Sequence, residues 1–189
     1  MSSYTALFDA SVLYPAVTRD ILLQLAITDL FRAKWTADIH DEWMRSLCRD
    51  RPTINPAALN RTRTLMDSSV RDCIVTGYQP LISSLSLPDP NDRHVLAAAI
   101  VGRCDVIVTR NLPDFPETAL TPFGIDAQHP DEFLTNHLNL APGVFCDAIR
   151  KIRARLRNPP FSTAEYLEVL TNNGLVATAS ELIQFSTLI

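Results

Sequence analysis

The hydrophobic positions of the chain fall into short blocks that alternate between strand-like and helix-like patterns. Residues 4–8 form a largely apolar run that stops at Asp9, as a buried parallel strand does. Apolar residues then recur with helical spacing over residues 17–30, and a β-branched run over residues 105–109 indicates a second strand. Strands that alternate with helices predict an α/β fold with a central parallel sheet and helices on both of its faces.

Three further helices are predicted between these two strands. Apolar spacing predicts a helix over residues 38–48, and a second helix over residues 55–72 begins with Asn55-Pro56. Asn caps free backbone N–H groups and Pro suits the first helical position, so this start is well defined. An Ala-rich helix is predicted over residues 93–102, where Asp92 stands at the position expected for a cap.

The last third of the chain shows no strand pattern. Ser162 and Glu165 form a capping box, and Gly174 provides a stop before the last helix. Four helices are predicted, over residues 130–137, 142–157, 162–172 and 175–188. We therefore expect an α/β core over residues 1–127 and a helical C-terminal extension over residues 128–189, which together fit the 189-residue length.

Composition excludes several classes of protein. The chain is 47% hydrophobic and 20% charged, and no apolar run approaches the roughly 20 residues that a membrane span needs. We expect a soluble cytoplasmic protein with no membrane partner.

Four cysteines without paired spacing predict buried thiols rather than a zinc site or a disulfide framework: Cys48, Cys73, Cys104 and Cys146. The net charge of −4 means that nucleic-acid binding would need a local basic patch.

Four acidic residues stand at special places in this pattern. Asp9 and Asp114 follow the predicted strands, Asp92 starts the Ala-rich helix, and Glu42 lies in the helix over residues 38–48. The carboxyl ends of parallel strands form one rim, where ligands bind, so these carboxylates are expected to meet. Singly, each has an ordinary role as a cap or a solvated side chain. Together they would repel one another and favour a hard cation, Mg²⁺ or Mn²⁺.

Four short segments surround these acids: LFDASVL at residues 7–13, DEW at 41–43, DPNDRHVLAAA at 89–99 and TRNLPDF at 109–115. In this order they resemble the four motifs of PIN-domain ribonucleases. The resemblance implies a PIN-like three-layer fold and a Mg²⁺- or Mn²⁺-dependent endoribonuclease that leaves a 5′-phosphate and a 3′-hydroxyl. It also implies a VapC-like toxin of the longer subgroup with a helical C-terminal extension. The implied partners are the RNA substrate and a cognate antitoxin protein, and a homodimer stays open.

The resemblance also assigns roles to single residues. It makes four residues both catalytic and metal-binding, namely Asp9, Glu42, Asp92 and Asp114. It places three polar residues beside them, namely Ser11, Thr109 and Asn111. Asp89 is a rival to Asp92 because both lie in the third motif. A metal ion held by carboxylates can activate water for attack on a phosphodiester, so no side-chain nucleophile is required.

Basic residues supply the candidates for RNA contact. Arg93 and Arg110 flank the third and fourth acids, where either binding of phosphate or compensation of the acidic cluster would explain them. The helix over residues 142–157 has an apolar stripe from Phe145 to Leu156, and its other side carries a basic face. Three residues of that face are candidate RNA contacts: Arg150, Arg153 and Arg157.

Two alternative functions remain at this stage. A phosphohydrolase of the haloacid dehalogenase type also begins with a strand followed by Asp, but it needs a second Asp two residues later, where this chain has Ser11. A non-catalytic RNA-binding module on a PIN fold would be favoured by the loss of an acid, and none of the four is missing. The four histidines form no metal-binding spacing: His40, His94, His129 and His137.

Overall fold

The centre of the fold is a four-stranded, fully parallel sheet. The structure, a computed structural model, describes residues 4–157 and 159–189. The strands are β1 (Thr5–Phe8), β2 (Arg32–Lys34), β3 (Val106–Val108) and β4 (Asp126–Gln128), in the spatial order β2-β1-β3-β4. Each neighbouring pair is parallel. The predicted α/β fold with a central parallel sheet and C-terminal helices is confirmed.

Helices connect the strands and continue beyond them. Those up to β4 are α1 (Ala10–Leu13), α2 (Ala16–Ala26), α3 (Ala37–Asp50), α4 (Pro56–Ser69), α5 (Gln79–Ile82), α6 (Arg93–Val101) and α7 (Glu117–Leu120). Those after β4 are α8 (Pro130–Leu140), α9 (Pro142–Arg155), α10 (Thr163–Asn172) and α11 (Val176–Leu182). The predicted starts of α4 and α10 are confirmed, because the Asn55 side chain accepts from Ala57 N and Ser162 forms its capping box with Glu165.

Several boundaries differ from the prediction for local reasons. α2 ends at Ala26 rather than at residue 30, and the chain turns through Asp29 with a φ of 59°. α4 ends at Ser69, before Asp72 turns with a φ of 53°. The strands β2 and β4 were not predicted, because neither contains the β-branched run that marks β3, which is equally short.

The expectation that the Asp92 side chain caps α6 is wrong. The segment Pro90–Asp92 forms a 3₁₀ turn that leads directly into α6, and the Asp92 side chain accepts no capping hydrogen bond. Asp89 caps the 3₁₀ turn, since its Oδ1 accepts from Asn91 N at 2.8 Å. The Asp92 carboxylate therefore forms no capping hydrogen bond.

The strand order creates a crevice at one rim of the sheet. β1 is central, β2 pairs with one of its edges and β3 with the other, so the connections after β1 and after β2 run in opposite directions along the sheet. Ligands of open parallel sheets bind where the strand order reverses, outside the carboxyl ends of the strands. In this chain that point lies after Phe8 and Val108.

The C-terminal helices share the core of the sheet. Phe133 of α8 makes edge-to-face contacts with Phe8 of β1 and with Phe31, with ring centroids 5.9 and 4.9 Å apart. α9 packs against α2 and buries most of its predicted apolar stripe, including Phe145 and Ile152. The division at residues 127 and 128 stays a prediction, and the strand β4 crosses that position. Within the described residues, no helix has the length and apolar character for a membrane crossing.

Candidate active site

Asp9 is the carboxylate at the carboxyl end of β1. It is only 7% exposed, and its backbone N–H still donates to Val108 O of β3 at 3.1 Å. Its Oδ1 accepts from Ala10 N at 2.7 Å, and its Oδ2 accepts from the hydroxyls of Ser11 and Thr109 at 2.7 and 2.8 Å. Ser11 and Thr109, which the sequence predicted beside this acid, therefore fix the orientation of its carboxylate.

Glu42 reaches the same region from α3. Its Oε1 lies 2.8 Å from Nε2 of His94, which belongs to α6. Burial lowers the pKa of His94, but the carboxylates of Glu42, Asp38 and Asp9 outweigh burial, so the net pKa is raised. The contact between the His94 imidazole and the Glu42 carboxylate joins α3 to α6. Sequence spacing gave His94 no such role, because the two residues are far apart in the chain.

A buried polar network fixes α3 itself. The Trp43 indole donates to Nδ1 of the fully buried His40 at 2.9 Å, so that nitrogen carries no proton. The His40 Nε2 then donates to Asp67 of α4 at 2.9 Å, and Asp67 also accepts from the Trp35 indole at 2.8 Å. Burial lowers the pKa of His40 and keeps it neutral. The network holds the helix that carries Glu42 against α4 and against the end of β2.

Asp92 is the most perturbed of the four acids. Burial, and after it the carboxylates of Asp9, Asp89, Asp114 and Glu42, raise the pKa of Asp92 to about 6. All three other predicted acids therefore lie close enough to repel it, and so does its rival Asp89. A carboxyl group with this surrounding charge favours either a proton or a cation.

Asp114 follows β3 in a short 3₁₀ turn, Leu112–Asp114, that begins after Asn111. The Asn111 side-chain amide donates to Oδ2 of Asp114, and the Asn111 backbone N–H donates to the Thr109 hydroxyl at 3.0 Å. These bonds link the fourth acid to the residue that orients Asp9. The predicted polar residue Asn111 thus positions Asp114.

The side chains meet in a cleft of about 820 Å³, which we call the acid cleft. Three of the predicted acids line it, and Asp114 lies beside it through Asn111. The lining residues include Asp9, Ser11, Glu42, Asp89, Asp92 and Asn111. Within residues 4–157 and 159–189, no three carboxylate, imidazole or thiol groups already form a compact metal-binding cluster. The acid cleft is therefore an open arrangement of carboxylates rather than a preformed metal cage.

Sequence reasoning missed one face of α3 that also lines the acid cleft. Four residues follow Glu42 at steps of three, four, seven and eight: Arg45, Ser46, Arg49 and Asp50. This spacing places them on the same helical face as Glu42. The sequence spacing could therefore have identified these residues, since residues three, four, seven and eight positions after a site residue on a helix share its face.

The predicted RNA-contact residues have different surroundings. Arg150 and Arg157 are exposed, and Arg150 pairs with Asp147. Arg153 is half-buried and donates to the backbone carbonyls of Phe161 and Ile189, so its guanidinium holds the C-terminus in place. Among the flanking residues, Arg93 is half-buried, with an Nε that has no hydrogen-bond partner in the part of the chain that is described. Arg110 bonds within the protein as well.

Comparison with known protein families gives two matches that together cover most of the chain. Residues 5–113 match the family described as PIN domain, a span that contains Asp9, Glu42 and Asp92 and ends one residue before Asp114. Residues 130–184 match the family described as VapC50 C-terminal domain, which corresponds to the helical extension.

One curated protein is similar over half of the chain. It is named "Putative ribonuclease VapC50", from Mycobacterium tuberculosis (strain ATCC 25618 / H37Rv), and is 42% identical over 94 residues. The aligned part is 50% of this chain and 55% of that protein, so the chain spans about half the length of the relative it matches. No solved structure matches the chain.

Proposed function

The chain belongs to the PIN-domain family, and on this premise we propose that it is a metal-dependent endoribonuclease that hydrolyses RNA phosphodiester bonds. The observation that carries the proposal is the environment of Asp92. At the reversal point of a parallel sheet, burial and, after it, four other carboxylates raise the pKa of this residue to about 6. Such crowding destabilises the fold unless the charge serves a ligand, and strongly perturbed carboxyl groups in clefts are typical of functional sites.

The chemistry of the side chains fits a hard divalent cation. Asp9, Glu42, Asp92 and Asp114 would hold it, because carboxylate oxygens without thiolates suit Mg²⁺ or Mn²⁺. When bound, such an ion supplies a water of lowered pKa and offsets charge on the phosphate. The chain's own contribution is orientation: the hydroxyls of Ser11 and Thr109 hold Asp9, and the Asn111 amide holds Asp114.

The role we propose in the cell is that of a toxin restrained by a cognate antitoxin protein. The support is the match of residues 130–184 to the VapC50 C-terminal domain and the similarity to a protein named as a ribonuclease VapC50. We expect expression of the chain alone to arrest growth and co-expression with the product of the adjacent reading frame to restore it. Arrest that an Asp92→Asn variant still causes would contradict a toxic ribonuclease activity at this site.

A cleavage assay tests the biochemical proposal. The purified protein is incubated with total RNA in Mg²⁺, in Mn²⁺ or in EDTA, and the product ends are identified. We expect cleavage that EDTA abolishes, with 5′-phosphate and 3′-hydroxyl ends. Asp92→Asn should lower the rate by about 100-fold or more, since it removes a ligand charge at the crowded centre of the acid cleft.

Asp89→Asn is the matched control for that variant. Asp89 directly precedes the 3₁₀ segment Pro90–Asp92 and lines the same cleft, but its Oδ1 already accepts the capping hydrogen bond from Asn91 N. We expect a much smaller loss of cleavage from Asp89→Asn than from Asp92→Asn. Equal losses from the two variants, or undiminished cleavage in EDTA, would contradict the assignment.

Neither alternative function gains a specific observation. The residue two positions after Asp9 is Ser11, whose hydroxyl donates to Asp9, so the acid that a haloacid-dehalogenase-type phosphohydrolase requires is replaced by a hydrogen-bond donor. A non-catalytic RNA-binding module would have no need for four carboxylates around a common region, which cost stability through mutual repulsion.

A further inference from the structure

A second groove adjoins the acid cleft. It measures about 740 Å³, and Ser11 and Tyr14 line both it and the acid cleft, so the two openings are continuous. The groove runs from the start of α2 past the end of α3 to the turn between α10 and α11. We call it the arginine groove, because its charged lining residues are Arg19, Arg51 and Arg110.

The charge of the arginine groove is opposite to that of its neighbour. No carboxylate lines it, whereas Asp9, Glu42, Asp92 and two further Asp residues line the acid cleft. Within the described residues, none of the three arginines forms an ion pair with a carboxylate. Arg19 is only 8% exposed, and its guanidinium donates to Leu13 O at 2.6 Å and lies 4.8 Å from the centroid of the Trp43 ring. These contacts hold the side chain in place but leave its charge without a carboxylate partner. In a chain of net charge −4, this local excess of positive charge favours an anionic ligand.

The C-terminal extension forms one wall of the arginine groove. Asn173 and Gly174 line it, and Nη2 of Arg110 donates to Asn173 O at 2.8 Å and to the Thr18 hydroxyl at 3.0 Å. Gly174 has a φ of +74°, and a Cβ there would lie 2.9 Å from Nη1 of Arg110. A side chain at this position would require the Arg110 guanidinium to shift, and the positive φ favours glycine as well.

We propose that the arginine groove binds the RNA strand beside the scissile phosphate, and that the extension is part of the substrate site. The inference rests on the proposed function, since a strand whose phosphate lies in the acid cleft would continue past Ser11 and Tyr14. Guanidinium groups bind the backbone phosphates of a flanking nucleotide, and the apolar side chains of the groove, such as Ile54 and Leu59, receive its base.

The main test removes a charge that has no structural partner. Arg51 is exposed and its side chain forms no hydrogen bond within the described chain, so Arg51→Ala should fold normally. Binding of a short fluorescein-labelled oligouridylate is measured by anisotropy in EDTA over a range of NaCl concentrations. We expect the affinity of Arg51→Ala to fall about tenfold and the slope of log K against log salt to decrease by about 0.7. Arg71→Ala, at an exposed arginine outside both openings, should match the wild type.

A second variant tests the wall without changing a charge. Gly174→Ala should displace Arg110 and weaken oligouridylate binding several-fold, whereas Gly77→Ala should not, because Gly77 has a comparable φ of +77° but a Cβ there meets nothing within 4 Å. Circular dichroism and thermal unfolding establish that both variants are folded. If Arg51→Ala binds oligouridylate with wild-type affinity, or if Arg71→Ala loses as much affinity, the arginine groove does not bind RNA. Wild-type affinity in a folded Gly174→Ala variant would show that the C-terminal extension is not part of the RNA-binding groove.

The same proteins separate this inference from the proposed function. Suppose that the wild type cleaves RNA in Mg²⁺ and that Arg51→Ala binds and cleaves RNA equally well. The proposal that the arginine groove binds RNA is then wrong, while the nuclease proposal stands. If the wild type cleaves no RNA in Mg²⁺ or Mn²⁺, the nuclease proposal is wrong. In that case a selective loss of oligouridylate binding in Arg51→Ala still supports an RNA-binding groove.

Discussion

The Thr109 hydroxyl donates a 2.8 Å hydrogen bond to Oδ2 of Asp9 and thereby joins the carboxyl ends of β3 and β1. The same hydroxyl oxygen accepts from Asn111 N at 3.0 Å, and Asn111 holds Asp114. Thr109 is fully buried, so no water can replace its hydroxyl. Two of the four acids at the site thus depend on one side chain that has no charge.

Thr109→Val should lower both stability and activity, because it keeps the shape of the side chain and removes the hydroxyl. We expect a loss of about 2 kcal/mol in the free energy of unfolding, since the Asn111 N–H loses its acceptor and the buried Asp9 carboxylate loses a donor. Denaturant unfolding and RNA cleavage measure the two effects. Thr109→Ser is the control: it should retain cleavage, and equal cleavage by the Val variant would show that this hydroxyl does not support the site.

Asp92→Asn should stabilise the protein at high pH in the absence of divalent ions. The raised pKa of about 6, against an ordinary value of 3.8, means that the folded state disfavours the charged form. At pH 8 the variant should gain about 1 kcal/mol, after allowance for the exposed half of the group. The gain should shrink as the pH falls through about 6 and vanish below about 4, where the wild-type carboxyl is protonated in both states.

Urea unfolding at several pH values in EDTA measures this effect. Glu168→Gln is the matched control, because Glu168 is an exposed acid on α10 with no hydrogen bond or ion pair in the described chain. Its stability should follow that of the wild type within about 0.5 kcal/mol at every pH. A destabilised Asp92→Asn at pH 8 would mean that the carboxylate has a structural partner, against the repulsion that raises its pKa.

The parts of the fold that the sequence predicted are those with strong local signals. β1 and β3 are continuous apolar runs, and α4 and α10 begin with capping side chains that act locally. The family resemblance is confirmed by the match to the PIN domain over residues 5–113, and the helical extension by the match over residues 130–184. The catalytic and metal-binding roles of the four acids stay predictions.

The features that the sequence did not predict depend on contacts between distant segments. β2 and β4 are strands only because β1 and β3 offer free edges to pair with. The bond from Arg110 to Asn173 spans 63 positions, and the ion pair of His94 with Glu42 joins two helices. Asp92 has the local pattern of a cap, yet the preceding 3₁₀ turn leaves its side chain unused for capping. Tertiary geometry decided each of these cases.

The basic face of α9 divides into a structural and an exposed part. Reversal of Arg153 to Glu should destabilise the protein by about 2 kcal/mol or more, because two backbone carbonyls lose a charged donor and face a carboxylate. The double variant Arg150→Glu with Arg157→Glu should fold normally, since surface ion pairs contribute little. If these two residues contact RNA, the slope of log K against log salt should decrease by about 1.4 in that variant.

The salt series for the double variant is measured with the same labelled oligouridylate, and thermal unfolding reports on its fold. Lys151 remains unchanged and still pairs with Asp147, so the helix keeps an ion pair on this face. An unchanged salt slope with preserved folding would remove α9 from the RNA site. The Arg153→Glu variant is not informative about RNA until its fold has been established.

Asp131 of α8 fixes the last helix of the extension. Its carboxylate accepts from Ala177 N, from Thr178 N and from the buried Thr178 hydroxyl at 2.8, 2.8 and 2.7 Å, at the start of α11. α11 has no side-chain cap of its own, because Leu175 occupies the N-cap position. A carboxylate at this end also interacts favourably with the helix dipole. Asp131 therefore caps α11 from a different helix.

Asp131→Ala should lower the free energy of unfolding by about 2 to 3 kcal/mol, because three donors lose a charged acceptor. Hydrogen exchange should locate the loss in α11, with the amides of Ala177 and Thr178 exchanging faster. Glu132→Ala is the control, since the neighbouring Glu132 is exposed and forms no hydrogen bond in the described chain, and its stability should change by less than about 0.5 kcal/mol. Equal stabilities of the two variants would show that α11 is held by its apolar side alone, through Leu175, Ala179 and Leu182, which are buried without help from the cap.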